Sequence, residues 1–222
     1  MILPMLLAFD LIKMSMIKSK KITRMILYFI SILALILIRM LAMNFTKPKF
    51  QEPDNPAAFQ DLILVRAVNY NYHYFLNIWL LLAPDWLCFD WSMGCISLIR
   101  SFRDWRIILI VAMWSVLTSF CVKVLLTKST FERRLLQYSI ILGALPFVPA
   151  SNILVNVGFV IAERNLYLSV LGYVMVVSLG YRKISIKWRR ISKFSLLILM
   201  ATFLLKCQLR SKEWENEDRL FK

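Results

Sequence analysis

Few residues of this 222-residue chain are equipped for chemistry, and they fall in a handful of places. Glu163 and Arg164 stand side by side in ASNILVNVGFVIAERNLYL, residues 150–168, between an apolar run and the next. Ionisable groups at membrane depth are expensive, so each is a functional candidate. Arg164 could neutralise a lipid phosphate while Glu163 orients it or holds a hydroxyl. The plainer reading is a snorkelling pair that ends a helix. In DWLCFDWSMGC, Asp85 and Asp90 sit among Trp86, Phe89 and Trp91. Carboxylates against indoles suit a general base, or a grip on sugar hydroxyls with a tryptophan face stacked on the ring. They equally suit N-caps and turns. Tyr70, Tyr72 and Tyr74 alternate around His73, the sole histidine, and read as an interfacial belt rather than a ligand box. One histidine and no CxxC argue against a His-rich metal site and a Ser/His/Asp triad. GxGxxG, Walker A and HExxH are absent, so no metal and no cofactor is expected. Cys88 and Cys95 read as small buried thiols; a pair in an oxidising lumen is the alternative.

The elements that must position these residues follow from composition. The chain is 59% hydrophobic and 18% charged, with 28 Lys+Arg against 13 Asp+Glu and a net charge of +15. Ordinary soluble domains are about 25% charged, and one core of this length could not bury so much apolar surface. The fold class expected is an all-α integral membrane protein, a multi-span helical bundle. The bases form short blocks between apolar runs, which is a membrane-orientation pattern rather than a basic face, so no nucleic-acid partner is expected.

Apolar stretches lie at about 25–43, 107–126, 135–149, 166–181 and 194–207, predicting five crossings. Several fall short of the roughly 20 residues a span needs, so their borders extend into the flanks. A further run, 73–89, is interrupted by Pro84 and Asp85. Residues 1–17 read as a partial span, and residues 1–24 as that span plus a basic cytoplasmic segment. Charge decides the orientation. Residues 18–24 hold four bases and no acid, 182–193 six bases and no acid, and 127–134 three bases against one acid. Residues 44–106 hold six of each. The positive-inside rule places the three basic blocks in the cytoplasm and 44–106 outside it. An even number of crossings then separates 18–24 from 127–134, so 73–89 is expected to be re-entrant or interfacial. Residues 25–207 form the multi-span region. From 208 the chain turns to mixed charge, reading as the start of a soluble helix. Asn44-Phe45-Thr46 is a glycosylation sequon close to the membrane.

Several segments carry a family resemblance: FTKPKFQEPDNPAAF (45–59), ILVRAVNYNYHYFLNIWLLLAPDWLCFDWSMGCISLI (63–99), DWR (104–106), PFVPASN (146–152), VGFVIAERNLYLSVLGY (157–173) and RSKEWENEDRLF (210–221). In this order they resemble the membrane part of the transmembrane and tetratricopeptide repeat-containing (TMTC) proteins. The resemblance implies a fragment of the membrane region, part of a GT-C-like glycosyltransferase fold, with lumenal tetratricopeptide repeats beginning near residue 208. It implies a multi-pass endoplasmic reticulum protein O-mannosyltransferase. The donor would be dolichyl-phosphate mannose, the acceptors Ser/Thr of cadherin-type proteins, and the surroundings membrane lipids. Glu163, Arg164, Leu166 and Tyr167 match an AER-x-LY motif, Asn152 a PASN motif, Asp54, Asn55 and Pro56 a DNP motif, and Asp90 and Trp91 a DW-x-MG motif. Substrate binding is therefore expected at Arg164, Glu163, Asn152, Asp90 and Trp91. The acidic pair expected to supply the base lies upstream in this family, so no catalytic residue is nominated and the fragment alone is expected to be inactive. A non-catalytic membrane scaffold is the alternative. A transporter would call for intramembrane charges or inverted repeats, which are not evident.

Overall fold

A computed structural model describes residues 2–12, 18–46, 50–83, 91 and 94–213. The described residues form seven α-helices and three short 3₁₀ turns, with no strand among them. They are α1 (Ile2–Ile12), α2 (Lys18–Ala42), α3 (Ile63–Leu82), α4 (Arg106–Leu126), α5 (Thr130–Ala144), α6 (Ser169–Lys187) and α7 (Arg189–Glu213). The chain divides into two compact units, Met1–Met175 and Val176–Lys222.

Among the described residues, three helices are long and apolar enough to cross a membrane: Ile22–Ala42, Arg106–Leu126 and Arg189–Lys212. The other two expected crossings differ for visible reasons. The stretch at 135–149 is divided, because α5 stops at Ala144 and Pro146 and Pro149 tighten the chain into a 3₁₀ turn, Leu145–Ala150. The stretch at 166–181 begins within another 3₁₀ turn, Glu163–Leu166, and α6 carries Arg182, Lys183 and Lys187 in its final turns. The 11-residue α1 is shorter than the roughly 20 residues a span needs; it packs on α2 and α5, with Phe9 edge-on to Tyr138 at 5.1 Å. The helix α2 closes through Asn44 and Phe45, both left-handed at φ 48° and 54°. The sequon threonine donates its hydroxyl to the Met43 carbonyl at 2.6 Å.

Four residues after the DNP-led 3₁₀ turn (Pro56–Phe59), α3 begins and presents two unlike faces. Residues spaced by four, four and three, namely Asn69, His73, Asn77 and Leu80, are all buried, as helical geometry requires of one stripe. Tyr72, Phe75 and Trp79 form the other face, with successive rings stacked at 6.2 and 6.5 Å. Asn69 works as a clip. Its Nδ2 donates to the Ile99 carbonyl at 3.0 Å and its Oδ1 accepts from the Ile99 amide at 2.8 Å, fixing the 94–105 connection against α3. The interrupted run expected at 73–89 is helical as far as Leu82; Pro84, Asp85, Trp86, Cys88 and Asp90 lie outside the described residues.

Burial pushes His73 down to about 4, and its Nδ1 has no hydrogen-bond partner among the described residues. Arg66 and Tyr70 precede it on the same stripe. The unfolded imidazole takes a proton near pH 6.5 while the folded one stays neutral, so stability is full above 6.5 and falls as the pH drops towards 4. The expected loss is roughly 3 kcal/mol by pH 4, from about 1.4 kcal/mol per pKa unit. Urea midpoints of the detergent-solubilised chain between pH 7.5 and 4 measure it, and His73→Gln should flatten the profile.

The cysteines correct an expectation. Cys95 is an exposed free thiol rather than a buried one, because the loop that carries it turns outward, and Cys121 and Cys207 are exposed as well; Cys88 lies outside the described residues.

Candidate functional site

The aromatic face of α3 borders a cavity of about 730 Å³. Tyr72, Phe75 and Trp79 make one wall, and Trp91 and Trp105 close round it. Its floor is Ile161, which packs with Leu80, Val160 and Leu166 into the small apolar core beneath. Pro146 and Pro149 end α5, the chain crosses back through 151–162, and this return brings the AER segment to the cavity.

At the cavity rim the Asp104 carboxylate grips Arg106: Nη2 to Oδ2 is 2.6 Å, and Nε reaches both oxygens at 3.0 and 3.1 Å. The remaining guanidinium donors go to the Ser97 carbonyl at 2.6 Å and hydroxyl at 3.2 Å, and to the Leu98 carbonyl at 3.4 Å. The guanidinium also lies 5.3 Å from the Tyr72 ring centre. The Arg106 hydrogen bonds hold Asp104 below the usual carboxylate range. These charges satisfy one another, so a bound molecule meets mostly ring faces and aliphatic carbon. Such a surface suits the C–H face of a sugar or a hydrocarbon chain.

Glu163 and Trp91, 72 residues apart, meet beside this cavity: the indole Nε1 donates to Glu163 Oε1 at 3.5 Å. Adjacent Arg164 goes elsewhere. It is exposed, its guanidinium lies 5.9 Å from the Phe159 ring centre, and it makes no ion pair with Glu163. The 3₁₀ turn at Glu163–Leu166 splays the two neighbours apart. Asn152 lies in a second place. At φ 60° it occupies the left-handed region that asparagine tolerates. Its Oδ1 accepts from Asn55 Nδ2 and from the Val157 amide, each at 3.0 Å. Asn55, fully buried, also donates to the Val157 carbonyl at 2.9 Å. The DNP and PASN motifs thus form one latch. Asp90 lies outside the described residues.

The structure therefore joins Trp91 to Glu163 and Asn55 to Asn152, and leaves Arg164 on the surface. Sequence reasoning missed the aromatic wall and the Asp104–Arg106 clamp. The spacing of Tyr72, Phe75 and Trp79 on one helix face and the DWR triplet were the available signals. Among the described residues no three His, Cys, Asp or Glu side chains gather as a metal site.

Helices without a strand among the described residues, three of them candidate spans, define an integral membrane protein of α-helical type. Residues 44–118 match the family described as Protein O-mannosyl-transferase TMTC, DUF1736. The chain is TMTC-like along most of its length. It is 46% identical over 187 residues to Protein O-mannosyl-transferase TMTC4 of Homo sapiens, covering 83% of this chain and 25% of that protein. It is 37% identical over 193 residues to Protein O-mannosyl-transferase Tmtc3 of Drosophila melanogaster, covering 85% and 21%. With Protein O-mannosyl-transferase TMTC1 of Mus musculus the identity is 35% over 211 residues, covering 90% and 22%. The chain thus spans about a quarter of the length of the curated relatives it matches. No solved structure matches it.

Proposed function

We propose that this chain is part of the membrane region of an endoplasmic reticulum protein O-mannosyltransferase. That enzyme would move mannose from dolichyl-phosphate mannose to Ser/Thr of secretory-pathway proteins of cadherin type. The relatives' names support the transferase class. The observation that carries the reading to this site is the meeting of Trp91 and Glu163 beside an aromatic cavity.

The chemistry such a site serves is a displacement. A base takes the acceptor hydroxyl's proton as that oxygen bonds to the anomeric carbon. The carbon–oxygen bond to phosphate breaks, and the phosphate leaves with the electron pair. In this reading Trp91 stacks on the mannose, Glu163 holds one of its hydroxyls and is steadied by the indole N–H, and Asp90 takes another hydroxyl. Arg164, with its charge turned to the surface, meets the departing phosphate. Asn152 contributes by holding the loop that leads into the AER segment. The base comes from outside this chain.

In membranes bearing the full-length protein, Arg164→Gln should lower kcat/KM for dolichyl-phosphate mannose roughly 10- to 100-fold, in line with loss of one charge-stabilising donor. Arg164→Lys should recover part of it. Glycoproteomics of cells lacking the gene tests the whole reading: O-mannose should vanish from the cadherin-type acceptors, and an unchanged pattern removes the assignment.

A further inference from the structure

A second cavity, also about 730 Å³, is walled by the end of α2, the DNP loop and the loop 152–157. We propose that it holds one glycerophospholipid of the surrounding bilayer, with the phosphate on Arg39 and an acyl chain along Ile153, Leu154 and Val155. This does not depend on the transferase reading.

Three observations combine. Arg39 lies one turn before the end of the apolar window Ile22–Ala42, is exposed, and has no ion pair among the described residues. A guanidinium near the hydrocarbon boundary is stabilised by reaching an anion, and phospholipid phosphate is the anion abundant at that depth. Second, the opposite wall is apolar and outward-facing: Ile153, Leu154 and Val155 are 70, 69 and 64% exposed. Third, this tip is held in place. The latch of Asn55 on Asn152 and Val157 pins both ends of the loop, so the apolar tip cannot fold back to cover itself. One cation beside a fixed apolar wall matches a molecule with one phosphate and a hydrocarbon tail. A free phosphate would leave the apolar wall unused, and an uncharged lipid would leave Arg39 unpaired.

The test titrates the whole chain, delipidated in a neutral detergent, with phosphatidylglycerol and counts bound lipid by native mass spectrometry. Wild type should retain one molecule with an apparent Kd at least fivefold tighter than Arg39→Gln, and likewise at least fivefold tighter than Leu154→Asp. Arg39→Lys should remain within twofold of wild type and confirms that the variants bind when folded; helicity by circular dichroism checks the other two. Equal binding by wild type and Arg39→Gln overturns the proposal. So does full displacement by millimolar inorganic phosphate, which would make it an anion site, or tenfold tighter binding of dolichyl phosphate than of phosphatidylglycerol, which would make it a polyprenyl-phosphate site.

Discussion

Gly172→Ala should strongly destabilise the first unit. A Cβ at Gly172 would collide with the Ser139 carbonyl oxygen, and would stand 2.5 Å from the Gly143 nitrogen and 2.9 Å from its Cα. All three are backbone atoms of α5, so no rotamer change can relieve the contact, and the start of α6 must move bodily away. Small residues permit such close backbone approach between helices in a membrane. Overpacking usually costs about 1–3 kcal/mol. Here, where only backbone can yield, the loss should lie at the upper end or beyond, a large part of the roughly 5–15 kcal/mol that stabilises a typical domain. Folded yield in detergent and the midpoint of denaturant unfolding measure it. Gly143→Ala is the control with the opposite sign. A Cβ there meets open space, and alanine favours the helix over glycine by about 0.5–1 kcal/mol, so that variant should be equal or slightly more stable.

Asn69→Leu should cost about 2–4 kcal/mol, from two buried backbone groups left without partners at about 1–3 kcal/mol each, less the gain in apolar contact. The side chain is only 1% exposed and exchanges both amide bonds with Ile99 across 30 residues of sequence. Replacing it leaves the Ile99 N–H and carbonyl buried, since Ile99 itself is 2% exposed. Asn69→Asp should be no milder, because an oxygen would then face the carbonyls of Ile99 and Val65. Amide hydrogen exchange supplies a local readout: protection at Ile99 should be lost while that of α4 is retained. Equal protection in wild type and Asn69→Leu would mean that the 94–105 connection is held by the Asp104–Arg106 clamp instead.

Hydropathy made α2, α4 and α7 legible, because a span advertises itself by a run of apolar residues with few charges, and that signal is local. The same signal did not show how the run at 135–149 is divided, where Pro146 and Pro149 turn the chain into a 3₁₀ segment after α5. It also underrated α3. Asn69, His73 and Asn77 look like polar interruptions in a one-dimensional tally, yet they share one buried stripe, on which Asn69 uses its amide to hold the distant backbone of Ile99. The candidate site was legible as motifs and not as geometry. Adjacency suggested that Glu163 serves Arg164, but a 3₁₀ turn sends the carboxylate to Trp91, 72 residues away. Why asparagine stands in both DNP and PASN could not be read from either motif alone. One position needs a left-handed backbone with an acceptor, the other a buried donor, and only their meeting makes both demands visible.

The latch also sets an order of events during synthesis. Asn55 finds its partners 97 and 102 residues further along the chain. While the ribosome is still delivering α3, α4 and α5, the DNP loop has nothing to fasten to, and it can be secured only after Val157 has emerged and reached the same side. Until then the Asn55 amide, fully buried in the finished protein, has only water to bond.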